Sequence, residues 1–501
     1  MDTFALLGQG LLTALEPMHL LYALIGVTLG TAVGVLPGIG PALTVALLLP
    51  ITFKLDPGGS LIMFAGIYYG GMYGGSTTAI LLNTPGESAS VVTALEGNQM
   101  ARRGRGGPAL ATAAIGSFVA ALIATAGLAF FAPILVKVAV KFGPWDYFGL
   151  MLIAFVTVSA TFGSSPLRGL TSLGIGLWLG LIGIDQLTGQ TRLSFGVPNL
   201  LDGVEVTTLA VGLFALGEAL FVASRHLFND EKPIAIKGSI WMSREDWKRS
   251  WKPWLRGKAV GFPIGALPAG GAEIPTFLSY TMERKLAEKP EEFGKGAIEG
   301  VASPEAANNA SAQTSFIPLL TLGIPSTAVM AVMAGALTIQ GIQPGPHVLN
   351  SRPELFWGLI VSMWVGNLML VIINLPLVGI WVRMLRIPYR IFYPAILIFS
   401  CVGVYSLRNS YFDVMLVALF GLLGYCLQRW RCDTTPLVLA FVLSPMLEDN
   451  LRRAMLISRG DPAVFVERPL SLGMLLVALA LLGFVLLPSF RKRREVIFEE
   501  D

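Results

Sequence analysis

Residues 73–90 read YGGSTTAILLNTPGESAS, and residues 312–330 read AQTSFIPLLTLGIPSTAVM. Each stretch opens with small polar residues: Ser76, Thr77 and Thr78 in the first, Thr314 and Ser315 in the second. Each continues as an apolar run and ends in a turn, Asn83-Thr84-Pro85-Gly86-Glu87-Ser88 or Gly323-Ile324-Pro325-Ser326-Thr327. Pro and Gly within an apolar run interrupt a helix and free backbone N–H and C=O groups. Such backbone persists at membrane depth only when it is buried in protein or lines a watery cavity. Taken singly, either interruption reads equally well as an ordinary kink in a spanning helix, where Pro and Gly are common. A matched pair in two halves of one chain points instead to a transporter's binding site.

The surrounding composition decides the solvent. Of 501 residues, 54% are hydrophobic and 14% charged, with a mean hydropathy of +0.67. Soluble chains carry about 25% charged residues. The sequence therefore predicts an all-α polytopic membrane protein with about ten to twelve membrane segments. Uncharged runs of spanning length include Tyr147–Leu167, Leu355–Val382, Ile391–Leu407 and Pro469–Phe490. Pro17–Phe53 has 37 residues without Asp, Glu, Lys or Arg, too many for one crossing. Pro37-Gly38-Ile39-Gly40-Pro41 supplies the break that this run needs.

Charge placement suggests topology. The loop 225–258 holds nine Lys and Arg residues, among them Lys248, Arg249 and Arg256, and the tail carries Arg491-Lys492-Arg493-Arg494. Both are expected inside by the positive-inside rule. The first hundred residues contain one basic residue, Lys54, which places the N-terminus outside. No basic leader or small-residue cleavage site is evident, so no signal peptide is expected. Cys401, Cys426 and Cys432 have neither disulfide nor metal spacing and read as reduced apolar residues.

A repeat is visible at the level of motifs. Leu36-Pro37 in GTAVGVLPGIGPALT (30–44) matches Leu267-Pro268 in GKAVGFPIGALPAGGAEIPT (257–276), 231 residues on, and Pro85 matches Pro325, 240 residues on. The order in each half is the same: a Gly-rich Leu-Pro motif, a small-polar stretch, then a Pro break. The resulting organisation is an N-terminal segment (1–16), a first membrane repeat (17–225), a connector (226–256), a second membrane repeat (257–490) and a tail (491–501). An outside N-terminus and an inside connector give the first half an odd number of crossings, so the repeats are expected to be inverted, with a parallel duplication as the alternative. In the connector, Trp247, Trp251 and Trp254 fall on one helical face among basic residues, as in a helix lying in the membrane interface. Residues 283–299 read as a solvated, mixed-charge loop followed by a short helix, and the basic cluster Arg102-Arg103-Arg105 as another inside loop, with a phosphate role as its alternative.

Several residue sets could hold a ligand. Exposed helix N-termini at the breaks carry partial positive charge and free N–H groups, which suit an anion. The expected substrate-binding residues are Ser76, Thr77, Asn83, Thr84, Gly86, Ser88, Asn308, Asn309, Ser326 and Thr327. Asn308 and Asn309, from PEAANNA (304–310), offer both donors and acceptors; capping and inter-helix bonding is their plainer role. Cation-coupling candidates are Gly38, Gly40, Gly270, Gly271, Glu273, Thr314 and Ser315, through carbonyls, hydroxyls and one carboxylate. Glu87 and Glu273 are ionisable groups beside the motifs and candidates on that ground. There is no P-loop, no H-E-x-x-H pair and no G-x-S-x-G elbow. With three histidines in all, an intramembrane enzyme is disfavoured. No cofactor is expected beyond a coupling Na⁺ or H⁺.

The motifs resemble a known family. KGAIEGVASPEAANNA (295–310), IPLLTLGIPSTAV (317–329) and GIQPGPHVL (341–349) look like the large membrane subunit of the tripartite tricarboxylate transporters, TctA. GVLPGIGPAL (34–43), YYGGMYGGSTTAILLNTPGE (68–87) and ALEGNQMARRGRGGPAL (94–110) agree, and the resemblance covers essentially the whole chain. It implies a multi-pass subunit of the bacterial inner membrane, in a secondary transporter that takes up a di- or tricarboxylate on a Na⁺ or H⁺ gradient. The implied partners are a small TctB-like membrane subunit and a periplasmic TctC-like binding protein. The second Leu-Pro motif departs from the family's usual LPG-x-G: here it is Leu267-Pro268-Ala269-Gly270-Gly271, followed by Glu273. The competing readings are an anion channel, which needs a continuous pore, and a passive membrane scaffold, which would tolerate loss of the polar cluster.

Overall fold

The computed structural model describes residues 3–36, 40–52, 55–160, 165–185, 187–224, 233–236, 238–268, 270–385 and 389–486. Helices dominate, and one two-stranded antiparallel ribbon pairs Gly183–Ile184 with Thr191–Arg192. The first part of the chain forms α1 (Thr3–Ala14), α2 (Pro17–Val35), α3 (Pro41–Thr52), α4 (Pro57–Leu82), α5 (Val91–Arg102), α6 (Gly106–Ala139), α7 (Pro144–Ala160), α8 (Pro166–Leu179), α9 (Val206–Ala210) and α10 (Gly217–Ser224). A π-helical segment, Val211–Leu216, joins the last two. The middle part forms α11 (Arg244–Gly265), α12 (Glu273–Leu286), α13 (Glu299–Thr314), α14 (Phe316–Leu322), α15 (Ala328–Ile339), α16 (Val348–Ser351) and α17 (Pro353–Asn374). Then follow α18 (Val378–Met384), α19 (Tyr389–Arg408), α20 (Tyr411–Arg429), α21 (Thr435–Ile457), α22 (Val464–Glu467) and α23 (Pro469–Leu486).

Among the described residues, five helical stretches are long and apolar enough to cross a membrane: α2, α6, Val206–Ser224, α17 and α20. The protein is an all-α polytopic membrane protein. The 37-residue uncharged run resolves into α2 and α3 on either side of the Leu-Pro motif; Pro37, Gly38 and Ile39 lie outside the described residues. Helix starts follow local chemistry. Asp56 caps α4 through the Gly59 N–H at 2.7 Å, with Pro57 in the first turn. Ser243 and Asp246 form a reciprocal capping box on α11.

Two helix pairs share one construction. Gly26, Gly30 and Gly34 of α2 lie against the backbone of Met63, Ile67 and Gly71 of α4, and a Cβ on any of the three would collide with the facing carbonyl. Gly257, Gly261 and Gly265 of α11 lie in the same way against Ser303, Ala307 and Ser311 of α13. The glycines of the second set follow the first by 231 residues and the facing residues follow by 240, the two offsets of the Leu-Pro and Pro-break motifs. Glycine at every fourth position brings helix axes to backbone contact. Across the pairs, α13 packs on α6 and α4 packs on α17.

One continuous core runs through α2–α6, α11, α13–α15, α17 and α19. A second lies between α7, α8, the π segment, α20 and α21 and takes in Ile324 and Ala331. The outer faces of α20 and α23 expose Met415, Leu419, Leu422, Leu476 and Leu479, as a lipid-facing surface does.

Two loop expectations need correction. Trp247 and Trp251 are exposed, but Trp254 is buried. Its ring covers Gly116 of α6, where no side chain competes for the space, and its indole N–H reaches the Thr112 carbonyl at 3.2 Å. Trp247 and Trp254 remain neighbours, with ring centroids 5.5 Å apart, but Trp254 points into the protein. The connector's expected end at 256 also falls inside α11, which runs on to Gly265. Residues 283–299 are not a freely solvated loop: Arg249 bonds Glu292 at 2.6 Å and Glu299 at 2.7 Å, and Arg256 grips the buried Glu283. Arg105 is likewise paired with Asp246. The tail 491–501 lies outside the described residues.

Candidate functional site

The two interruptions have matching backbones. Asn83 (φ 56°, ψ 23°) ends α4 and Gly323 (φ 76°, ψ 15°) ends α14, both left-handed. Four residues on, Glu87 (φ −151°, ψ 163°) and Thr327 (φ −140°, ψ 166°) open the next helical element in extended conformation. Thr327 caps α15 through the Met330 N–H at 3.2 Å. Gly86 has no room for a side chain, since a Cβ would run into the Gly34 carbonyl and lie 2.9 Å from the Gly75 Cα. That close approach seats the first turn on the end of α2.

The turns meet the opposite halves of the molecule. The Asn308 amide of α13 lies beside the Glu87 carboxyl, and the Tyr68 hydroxyl of α4 lies beside Ser315 and Thr327. Tyr68 and Asn308 are 240 residues apart, as are Glu87 and Thr327. Such crossed pairs are what a two-fold relation generates. Asn308 faces Glu87, and Tyr68 faces Ser315 and Thr327, yet among the described residues neither amide atom of Asn308, nor the Tyr68 hydroxyl, nor Glu87 Oε1 closes a hydrogen bond of good geometry, and these four atoms are buried. Groups of this kind are normally satisfied, so this cluster suits a polar ligand.

Carboxylates tie the turns to the surrounding helices. The Ser88 hydroxyl donates to Glu273 Oε1 at 2.6 Å, and the Ala272 N–H donates to Oε2 at 3.1 Å. Asp433, in the loop between α20 and α21, is within electrostatic range of Glu273. Deeper, Glu305 of α13 is fully buried and accepts from Ser76 at 2.6 Å and from Thr93. Among the described residues no three His, Cys, Asp or Glu side chains gather as a metal-holding group.

The sequence-predicted residues divide accordingly. Ser88, Asn308, Thr327, Ser315 and Glu273 are brought to the crossed cluster. Ser326 is buried behind it, with its hydroxyl 3.5 Å from the Ser315 carbonyl. Ser76, Thr77 and Asn309 sit one layer further in: Asn309 Nδ2 donates to Ser117 at 2.7 Å. Asn83 and Thr84 are exposed on the outer side of the first turn, and the Thr84 hydroxyl bonds only its neighbour's carbonyl, that of Leu82 at 3.3 Å. Thr314 bonds the Ala310 carbonyl at 3.1 Å within its own helix. In the second Leu-Pro loop the Gly271 carbonyl accepts from Ser311 at 2.8 Å, Gly271 has φ +62°, and Gly270 is buried against the Ile264 carbonyl. Gly40 begins the approach to α3, and Gly38 lies outside the described residues.

Sequence reasoning passed over Tyr68 and Glu305. Glu305 had a signal: it is a lone charge in a run of small and amide residues from 300 to 314, and an ionisable group in such a segment is a functional candidate by default.

Paired interrupted helices, each with its turn against the opposite half of an all-α polytopic membrane protein, define a transporter-like architecture. The chain belongs to the tripartite tricarboxylate transporter TctA family, whose profile matches residues 20–439. It is 52% identical, over all of both chains, to a protein of Agrobacterium vitis named "Uncharacterized 52.8 kDa protein in TAR-I ttuC' 3'region". It is also 56% identical to a shorter one, "Uncharacterized protein in TAR-II ttuC' 3'region", over 48% of this chain and all of that protein. No solved structure matches the chain.

Proposed function

We propose that the protein is the large transmembrane subunit of a binding-protein-dependent secondary transporter of the bacterial inner membrane. It takes up a di- or tricarboxylate on a Na⁺ or H⁺ gradient. It works with a small TctB-like membrane subunit and a periplasmic TctC-like protein that delivers the substrate. Family membership supports the class. The observation that carries the site is the crossed cluster, Asn308 at Glu87 and Tyr68 at Thr327, with its unpartnered polar atoms. In this reading the halves are inverted repeats, an arrangement favoured by the crossed pairs together with the basic connector between them.

The chemistry implies an order of events. Hydroxyls and the Asn308 amide can donate to a substrate carboxylate, but Glu87 and Glu273 stand in the same space. Like charges at short range repel, so an anion enters only when these carboxyls carry a proton or a cation. Loading of the coupling ion thus precedes substrate binding, and that order links the two fluxes.

The test is uptake in proteoliposomes that contain the three subunits. A hydrogen bond to a charged group contributes about 1.5–3 kcal/mol, and 1.4 kcal/mol is about tenfold in affinity. Asn308→Ala should raise the half-saturation concentration roughly tenfold to hundredfold with insertion unchanged. Leu476→Ala, on the exposed face of α23, should leave it unchanged. An Asn308→Ala variant with wild-type half-saturation removes this cluster as the substrate site.

A further inference from the structure

A second polar pocket lies between α4, α6 and α17, lined by Tyr73, Ser76, Thr77, Ser117 and Asn374, with Leu110, Ala113 and Ala114 as its apolar wall. Its five polar residues are each more than nine-tenths buried. The cavity is about 10 Å³, room for one water-sized particle and too small for a carboxylate.

The hydrogen bonds around it leave oxygen lone pairs unspent, on two amide carbonyls and on hydroxyls that also keep their protons. Asn374 spends its NH₂ on the Leu370 carbonyl at 3.0 Å and on Thr31 Oγ1 at 3.4 Å, and its Oδ1 has no partner. Asn309 spends its NH₂ on Ser117 and on the Glu305 carbonyl, and its Oδ1 also has no partner. Ser76 gives its proton to Glu305, so only its lone pairs remain. The Tyr73 hydroxyl is unpartnered and within electrostatic range of Glu305.

The charge balance points the same way. Glu305 stands behind the lining residue Ser76 and, among the described residues, is bonded by the hydroxyls of Ser76 and Thr93, and the lining holds no Lys, Arg or His. An ionised carboxylate so placed is costly without a counter-charge. One carboxylate balances one positive charge. Hard oxygen ligands without a second carboxylate suit a small monovalent ion rather than Ca²⁺ or Mg²⁺.

We propose that this pocket binds one Na⁺ ion, held by Tyr73, Thr77, Ser117 and the Asn374 carbonyl and balanced by Glu305. The site is distinct from the crossed cluster, though its role as a coupling site rests on the transporter reading.

The experiment measures ion binding without substrate. The full chain in lipid nanodiscs is heated at constant ionic strength in NaCl, KCl or choline chloride, and the unfolding midpoint is followed against Na⁺ concentration. The midpoint should rise with Na⁺ and respond little to choline. Tyr73→Phe, Thr77→Val and Asn374→Ala should each weaken the apparent Na⁺ affinity roughly tenfold or more, and Glu305→Gln should abolish the response. Tyr73→Phe keeps the ring and the packing, so a folding failure of Asn374→Ala does not cost the test. A wild-type protein equally stable in all three salts overturns the site, and so does an undiminished Na⁺ response in Tyr73→Phe and Thr77→Val. Stabilisation by lowered pH in place of Na⁺ overturns it in favour of a proton on Glu305. Substrate uptake that persists in choline would leave the transporter reading standing in either of those outcomes.

Discussion

Glu96 is the sharpest single test of how the two parts of the chain are joined. Its side chain leaves α5, just beyond the first interruption, and ends among residues that lead into α13. It is fully buried and accepts from the Tyr280 hydroxyl at 2.7 Å, from the N–H of Gly296 at 2.7 Å and Ala297 at 2.9 Å, and from the Gly294 N–H. Glu96→Ala strands three backbone donors and a phenol at once. Each bond to a charged acceptor contributes about 1.5–3 kcal/mol. The losses do not add in full, and breaking a buried charged cluster costs about 3–5 kcal/mol. The segment that opens is local and contains Lys295, exposed and next to Gly296. Where opening precedes cleavage, the rate follows the open population. A loss of about 3 kcal/mol then speeds tryptic cleavage after Lys295 roughly a hundredfold, at 1.4 kcal/mol per tenfold. Limited proteolysis with mass-spectrometric readout of that bond measures it. Glu96→Gln keeps one acceptor oxygen but turns an NH₂ toward N–H donors, and should accelerate cleavage at least about tenfold. Glu288→Ala, on the exposed part of the same loop, should change nothing. Cleavage of Glu96→Ala at the wild-type rate would refute the staple.

Two further outcomes follow from packing and charge. Gly30→Ala and Gly261→Ala push a methyl group into a facing carbonyl and should each cost about 1–3 kcal/mol. Gly174→Ala, within a helix and with nothing inside 4 Å of the added group, should instead stabilise by about 0.4–1 kcal/mol; unfolding midpoints in detergent give the contrast. Asp185, in the hairpin after α8, is held below the usual carboxylate range by the Leu187 N–H, opposed by burial and aided by Arg452 and Thr188. Its contribution to stability is complete above that range and fades as the pH falls through it toward the depressed value. Asp185→Asn should therefore flatten the acid limb of stability against pH and lower stability at neutral pH, and an unchanged profile would show that the pair contributes nothing.

The main architecture was legible because it is written in breakers and small residues. Pro85 and Pro325 mark real interruptions, and the glycines at every fourth position carry the repeat offset in plain view. The left-handed backbone of Asn83 could have been placed as well: it stands where the second turn has Gly323, and Asn tolerates the conformation that such a position needs. Other features depend on partners far along the chain. Helical periodicity put Trp254 with Trp247 and Trp251, but only the neighbouring Gly116 decides that it turns inward. The charged loop 283–299 looked solvated because Glu96 and Arg249, its anchors, are distant in sequence. Glu305 was masked by the amides beside it.

The glycine seams have a mechanical consequence. Where α2 meets α4 and α11 meets α13, backbone lies on backbone with no side chain between them to re-sort. Each pair is a stiff two-ply plate that resists shear, because any slip drives a Cα into a carbonyl. Outside the plates the packing is of another kind: side chains of the shared apolar core interdigitate there, with single hydroxyl bonds such as Ser76 to Glu305 and Asn309 to Ser117 set among them. Each plate is thus a rigid mount for the interruption that follows it in the chain.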